Sequence, residues 1–172
     1  MALTFLTSAE QIINVVVTCD SAIDCTPEQR VQYLSSGNLD ELEYVGDEVT
    51  TFTLKALSPS EREHAEQRAG AYTRSELGRL LWTEAPTEQN ERARWHHELS
   101  DDERAAMSDY QAYLNRVYIE MLNSSLTHID GEQATAEQVQ LIRPDDIRAT
   151  TISELVMHIQ RISILGHEGK SL

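Results

Sequence analysis

The stretch from Gly46 to Glu63 constrains the fold more than any other part of the chain. Gly46-Asp47-Glu48 supplies turn residues between two apolar segments, Leu42 to Val45 and Val49 to Leu57, and Ser58-Pro59-Ser60-Glu61 follows at once as a helix start. A turn, an alternating strand and a helix start in direct succession point to an α+β chain. Leu42, Tyr44, Phe52, Leu54 and Ala56 share one parity. A three-residue turn pairs Val45 with Val49 and keeps these residues on one face, whereas a two-residue Gly-Asp turn flips one strand relative to the other. The longer turn is expected, giving a hairpin in which Phe52 and Leu54 anchor the sheet to the helices.

Upstream, residues 12–18 (Ile-Ile-Asn-Val-Val-Val-Thr) are dominated by β-branched side chains and are too few for a typical helix, which predicts a strand. Ser8-Ala9-Glu10-Gln11 has the form of a helix cap, but a helix there would run through the valines, whose χ1 restriction opposes it. Thr26-Pro27-Glu28-Gln29 is a stronger start. Thr26 can cap, Pro27 fits the first helical position, and Gln29 can return a bond to the cap. Val31 and Leu34 then form the apolar face of a helix over 27–35, and Gly37 stops it.

Downstream, a helix is expected from Pro59, with no large apolar stripe in its first turns, and Gly70 loosens or breaks it. Thr73-Arg74-Ser75-Glu76 offers a capping box before Leu77, Leu80, Leu81 and Trp82, and Pro86 ends that helix. Residues 87–99 are polar except for Ala93, Trp95 and Leu99, which reads as a mobile or partner-ordered connection. Ser100-Asp101-Asp102-Glu103 caps the longest helix, about 101–125, with Met107, Tyr110, Leu114, Val117 and Met121 at spacings of three and four. Gly131 to Ala136 reads as a polar link, Val139 to Ile142 as a short apolar piece, and Pro144-Asp145-Asp146 as a turn. Thr151-Ile152-Ser153-Glu154 caps a last helix stopped by Gly166. The expected fold is α+β: a small amino-terminal antiparallel sheet with a hairpin and one short helix over 1–57, and a helical part over 58–172 packed on it as one continuous domain.

The 14 Lys and Arg against 29 Asp and Glu leave a net charge of −15, a field that repels phosphate backbones and anionic lipid surfaces. Neither nucleic acid nor a membrane is an expected partner. The longest apolar run, Ile12 to Val17, is broken by Asn14 and falls far short of the roughly 20 residues a membrane-spanning helix needs. The first residues lack the basic region and cleavage site of a secretory signal, so a cytoplasmic protein is expected. Cys19 and Cys25 form neither a redox pair nor half of a zinc site, and reduced, partly buried thiols are expected.

Familiar site chemistry is missing from the pattern. His96 and His97 are adjacent, so on a helix they diverge by about 100°, unlike the i, i+4 pair of a metal site. His64, His128, His158 and His167 are scattered. Asp20 and Asp24 lack the other ligands of a calcium loop, and Asp101-Asp102 and Asp145-Asp146 are explained by helix starts. No Gly-rich phosphate loop and no Gly-x-Ser-x-Gly elbow occurs. No catalytic residue, no metal and no cofactor is expected.

The order of elements carries one resemblance. A β-branched strand running into Thr18-Cys19-Asp20-Ser21-Ala22-Ile23-Asp24, a helix bearing Tyr33, then Gly46 and Phe52-Thr53-Leu54-Lys55-Ala56-Leu57-Ser58-Pro59-Ser60-Glu61, and a closing Ile159-Gln160-Arg161-Ile162-Ser163-Ile164-Leu165 together resemble tail assembly chaperones and related morphogenesis proteins of tailed bacteriophages. These pieces cover about a third of the chain, and none has the specificity of a zinc or phosphate motif. The resemblance implies a non-enzymatic protein that binds other phage structural proteins in the host cytoplasm. Retention in the virion and homo-oligomerisation stay open, and a small cytoplasmic enzyme or regulatory module outside phage biology is the alternative. The partner surface is expected on the polar helix after Pro59 and on residues 82–99, with Arg62, Trp82 and Trp95 as its anchors, because interfaces favour tryptophan and arginine.

Overall fold

The computed structural model describes residues 11–70, 76–142 and 146–168. Among them the α+β class is met: an antiparallel sheet of four strands, a separate strand pair and a largely helical remainder. In chain order the elements are β1 (Ile12–Val15), β2 (Ile23–Asp24), α1 (Pro27–Ser36), a 3-10 turn (Leu39–Glu41), β3 (Glu43–Tyr44), β4 (Phe52–Lys55), α2 (Pro59–Ala69), α3 (Leu77–Glu84), α4 (Gln89–Glu98), α5 (Asp101–Ser125), β5 (Leu126–Ile129), β6 (Glu132–Gln133), α6 (Ala136–Leu141) and α7 (Asp146–Glu168). The chain forms two compact units, one from residues up to 65 and from 118 onward, the other from 66–117. The amino-terminal strands therefore share a unit with β5, β6 and α7.

In the first unit the sheet order is β1-β4-β5-β6. β4 is central, pairing Leu54 with Ile13 and Phe52 with Ile129, and the expected parity holds within it: Phe52, Leu54 and Ala56 are buried. The expected hairpin does not form. Glu43 and Tyr44 pair with Asp24 and Ile23 instead, and Tyr44 is exposed. Gly46 serves close approach: a Cβ there would meet the Ala22 Cβ at 2.9 Å, and Val45 N donates to Ala22 O at 2.9 Å. Asp20 then accepts from Thr50 N at 3.0 Å and leads the chain into β4.

The tight hairpin lies in the segment read as a polar link. Asp130 (φ 51°) and Gly131 (φ 81°) form the two-residue turn between paired Ile129 and Glu132, the left-handed pair that a type I′ turn requires. Thr135 and Gln138 form a reciprocal capping box for α6, which takes up the short apolar piece.

Helix α1 begins on the expected Thr26 and Gln29 box and ends at Gly37 in the left-handed region. Its buried face is Tyr33 and Leu34, whereas Val31 is exposed. Helix α2 starts on reciprocal bonds between Ser58 and Glu61, and Ala65 and Ala69 form its buried stripe. Residues 87–99 are not a connection: α4 occupies most of them. Helix α7 starts at Asp146, so Thr151 and Glu154 lie inside it, and it runs past Gly166. The expected features at 8–10, 73–75 and 144–145 lie outside the described residues.

Leu54, Leu57, Leu122, Leu155 and Ile159 are fully buried in this unit, with α7 against β4 and α1. The buried hydroxyls are paired: Ser163 accepts from Leu57 N at 2.9 Å and donates to Ile159 O at 2.6 Å, and Ser125 donates to Lys55 O. No helix among the described residues is long and apolar enough to cross a membrane.

Candidate partner-binding groove

The second unit is built from the end of α2, α3, α4 and α5 as far as Val117. α4 starts because the Glu88 side chain accepts from Asn90 N at 3.2 Å and Glu91 N at 2.8 Å. Those amide bonds hold the Glu88 carboxyl below its ordinary range. α5 starts on the expected box: Glu103 N donates to Ser100 Oγ at 3.3 Å and Ser100 N to Glu103 Oε2 at 2.8 Å. Only Leu99 and Ser100 separate the two helices, and Leu99 is buried with Leu81 and Met107 beneath Trp82 and Trp95.

This arrangement leaves a groove of about 690 Å³. One wall is Arg92, Ala93 and His96 of α4, a single face at spacings of one and four. The other is Arg104, Met107, Ser108 and Gln111 of α5, at i, i+3, i+4 and i+7, and Trp82 of α3 lies between them. From Arg104 to Gln111 the α5 wall is about 10 Å long, two helical turns.

A ladder of rings and guanidinium groups runs from the groove along α5. The Arg92 guanidinium lies 5.4 Å from the Trp82 ring centre, Trp82 meets Tyr110 edge-on at 6.3 Å, Tyr110 meets Tyr113 at 6.1 Å, and Arg116 lies 5.9 Å from Tyr113. Arg116 Nε also donates to Ala69 O at 3.0 Å. Arg104 is engaged at the α5 start, donating to Leu99 O and to Asp101.

Of the expected anchors, Trp82 lines the groove and Trp95 packs against the same apolar cluster. Both are half-buried. Arg62 sits on α2 in the first unit, with its Nε buried and without a hydrogen-bond partner. Arg92 and His96 fall within the stretch 82–99 expected to carry the partner surface but were not singled out, because 87–99 read as a connection and not as a helix, and Arg104 lies beyond that stretch on α5. The available signal was the pair Glu88 and Glu91 opening a run free of Gly and Pro that ends at apolar Leu99.

A second concentration of polar groups lies in the first unit. Fully buried Glu154 accepts from Thr18 N at 2.7 Å, Thr18 Oγ1 at 2.5 Å and Arg30 Nε at 2.8 Å, which fastens the end of β1 and helix α1 to α7. One turn on, buried His158 packs against the Tyr33 ring at 4.9 Å. The Tyr33 hydroxyl donates to Val16 O and accepts from Val16 N, and burial pushes it up to about 12.

Arg161 can only donate, so at 3.1 Å it fixes His158 Nδ1 as an acceptor and the ring proton on Nε2. Burial, and then the Arg161 charge, push His158 down to about 4. Cys25 is raised by burial and then by Glu154, and both cysteines are half-buried and outside any disulfide. Among the described residues no group of three His, Cys, Asp or Glu side chains is placed to hold a metal ion. Comparison with protein-family models, curated proteins and solved structures finds no match.

Proposed function

We propose that this chain is a non-enzymatic assembly protein of a tailed bacteriophage that binds other virion proteins through its 66–117 unit. Its place of action is the host cytoplasm, where particles are built. The observation that carries the binding role is the groove on Trp82, where an aromatic ring, a stacked arginine and a methionine sit together at an open surface, the residue types that anchor protein interfaces. The phage assignment is supported by the resemblance of residues 12–24, 52–61 and 159–165 to tail assembly chaperones.

The test is genetic. Disrupting the gene in its parent genome should leave lysates with heads lacking complete tails, or with unjoined parts, under negative-stain electron microscopy. A normal yield of complete particles, or a gene set in a metabolic operon, would overturn the proposal in favour of a cytoplasmic enzyme or regulatory module.

A further inference from the structure

We infer that the Trp82 groove is a recognition site for a short acidic peptide segment carrying one apolar or aromatic anchor. The inference deepens the proposed function and rests on it for the groove's occupant being a protein.

The charge of the lining carries the argument. The chain has about twice as many carboxylates as cations, and its net charge of −15 predicts an acidic lining. The groove inverts that balance: Trp82, Arg92, Ala93, His96, Arg104, Met107, Ser108 and Gln111 include two arginines and a histidine and no carboxylate. Arg104 is committed to Leu99 O and Asp101, which leaves Arg92 as the uncommitted guanidinium of the lining, with His96, Ser108 and Gln111 as its other polar side chains. Arg92 has the Trp82 ring on one side and is exposed on the other, and among the described residues no carboxylate pairs with it. A guanidinium braced on a ring is pre-organised to take a carboxylate in a fork of two hydrogen bonds.

The apolar lining sets the rest of the specificity. Met107 of the α5 wall is buried in the cluster that Trp82 packs against, an apolar and polarisable surface suited to one Leu, Met or aromatic side chain. Two helical turns of wall admit a few residues, so the segment is an anchor flanked by carboxylates and not a long helix. An acidic chain that excludes phosphate backbones at long range still takes a carboxylate here, because the local charges act within a Debye length of about 8 Å.

A random peptide library displayed on a carrier should be selected on the purified full-length protein, and the selected sequences compared with those from the Arg92→Glu and Trp82→Phe variants. Wild-type selections should be enriched in Asp or Glu flanking a single apolar residue. A synthetic peptide of that sequence should lose about tenfold in affinity on Arg92→Glu, the loss of one charge-assisted contact, with far-UV circular dichroism unchanged. Arg92 is exposed, so its replacement removes no buried packing, and Trp82→Phe separates ring stacking from packing.

Selections without acidic bias, or equally enriched by Arg92→Glu, would overturn the inference. So would binding of an oligothymidylate that depends on Arg92 in the same way, which would make the groove a nucleic-acid platform. An acidic motif found alongside normal particles in the gene disruption would leave the groove's chemistry standing and sink the phage role; defective particles with no acidic motif would do the reverse.

Discussion

The two units stabilise themselves by different means. In the 1–65 and 118–172 unit, Tyr33, Leu54, Leu57, Leu122, Glu154, Leu155, His158 and Ile159 are all fully buried, and Glu154 joins segments 136 residues apart. In the 66–117 unit, Leu81, Leu99 and Met107 stay 7–9% exposed, and two tryptophans cover them only in part. Its helices α4 and α5 start on local caps, Glu88 and Ser100 with Glu103, as α1, α2 and α6 of the first unit start on theirs, so the difference lies in the core. A unit with a thin core belongs to the low-stability end of a protein, which is where binding surfaces are drawn from. The first unit is thus the scaffold and the second the adaptable part.

The largest expected difference comes from matched leucine truncations. Leu54→Ala in central β4 should lower unfolding free energy by about 4 kcal/mol, since it empties a fully buried site on a strand paired along both edges. Leu81→Ala should cost about 2 kcal/mol, because half-buried neighbours can collapse into the space. Urea melts followed by circular dichroism measure both. Equal losses would mean that the thin core of the second unit is as rigid as the sheet, and the comparison would break.

The next effect is confined to the first unit and depends on pH. His158 is about 4 in the fold against an ordinary value of 6.5, so between those values the unfolded chain binds a proton that the fold does not. Stability is full above pH 6.5 and falls as pH drops towards 4, by about 3 kcal/mol at 1.36 kcal/mol per pKa unit. The groups facing the imidazole are the Arg161 guanidinium, which opposes its protonation, and the Tyr33 ring. His158→Gln keeps an acceptor for Arg161 and should flatten the loss over that window, whatever it does to stability at pH 7. Melts of wild type and variant at pH 4.5 and 7 decide it, and parallel losses would show that carboxylates elsewhere cause the acid sensitivity.

How far the sequence foretold each unit follows from how local the determining interactions are. The starts of α1, α2 and α5 were legible because Thr26, Ser58 and Ser100 cap within four residues of themselves. So was the parity of β4, since alternation is a property of one strand. The pairing of β4 was not legible, because its partners β1 and β5 are distant in sequence and Val49 is as β-prone as either. Asp130-Gly131, the strongest short hairpin signal in the chain, went unread because β5 follows α5 with no break at Ser125. Glu154 shows the hardest case. Thr151-Ile152-Ser153-Glu154 has the spacing of a capping box, yet the glutamate's partners are Thr18 and Arg30, and no local pattern encodes a partner more than a hundred residues away. In the groove, Trp82 was legible from its residue type, whereas Arg92 and His96 depended on recognising α4.

The smallest expected effect is also the most direct test of whether the two units unfold separately. Gly70 and Gly131 both sit in the left-handed region, at φ 85° and 81°, and a Cβ on either would meet nothing within 4 Å. Replacing either with alanine therefore adds only backbone strain, about 1 kcal/mol at each site. Gly131 closes a hairpin in the first unit, so Gly131→Ala should lower the main melting transition by that amount. Gly70 ends α2 in the second unit, and Gly70→Ala should act mostly there, speeding amide hydrogen exchange in α3 and α4 while moving the main transition less. If the same strain at the two glycines produced the same shift of a single transition, with exchange in α4 no faster than in α7, the units would melt as one body. The groove would then be a rigid surface on a uniform fold, and affinity for a peptide would come from complementarity alone, with no contribution from adaptation of the helices that line it.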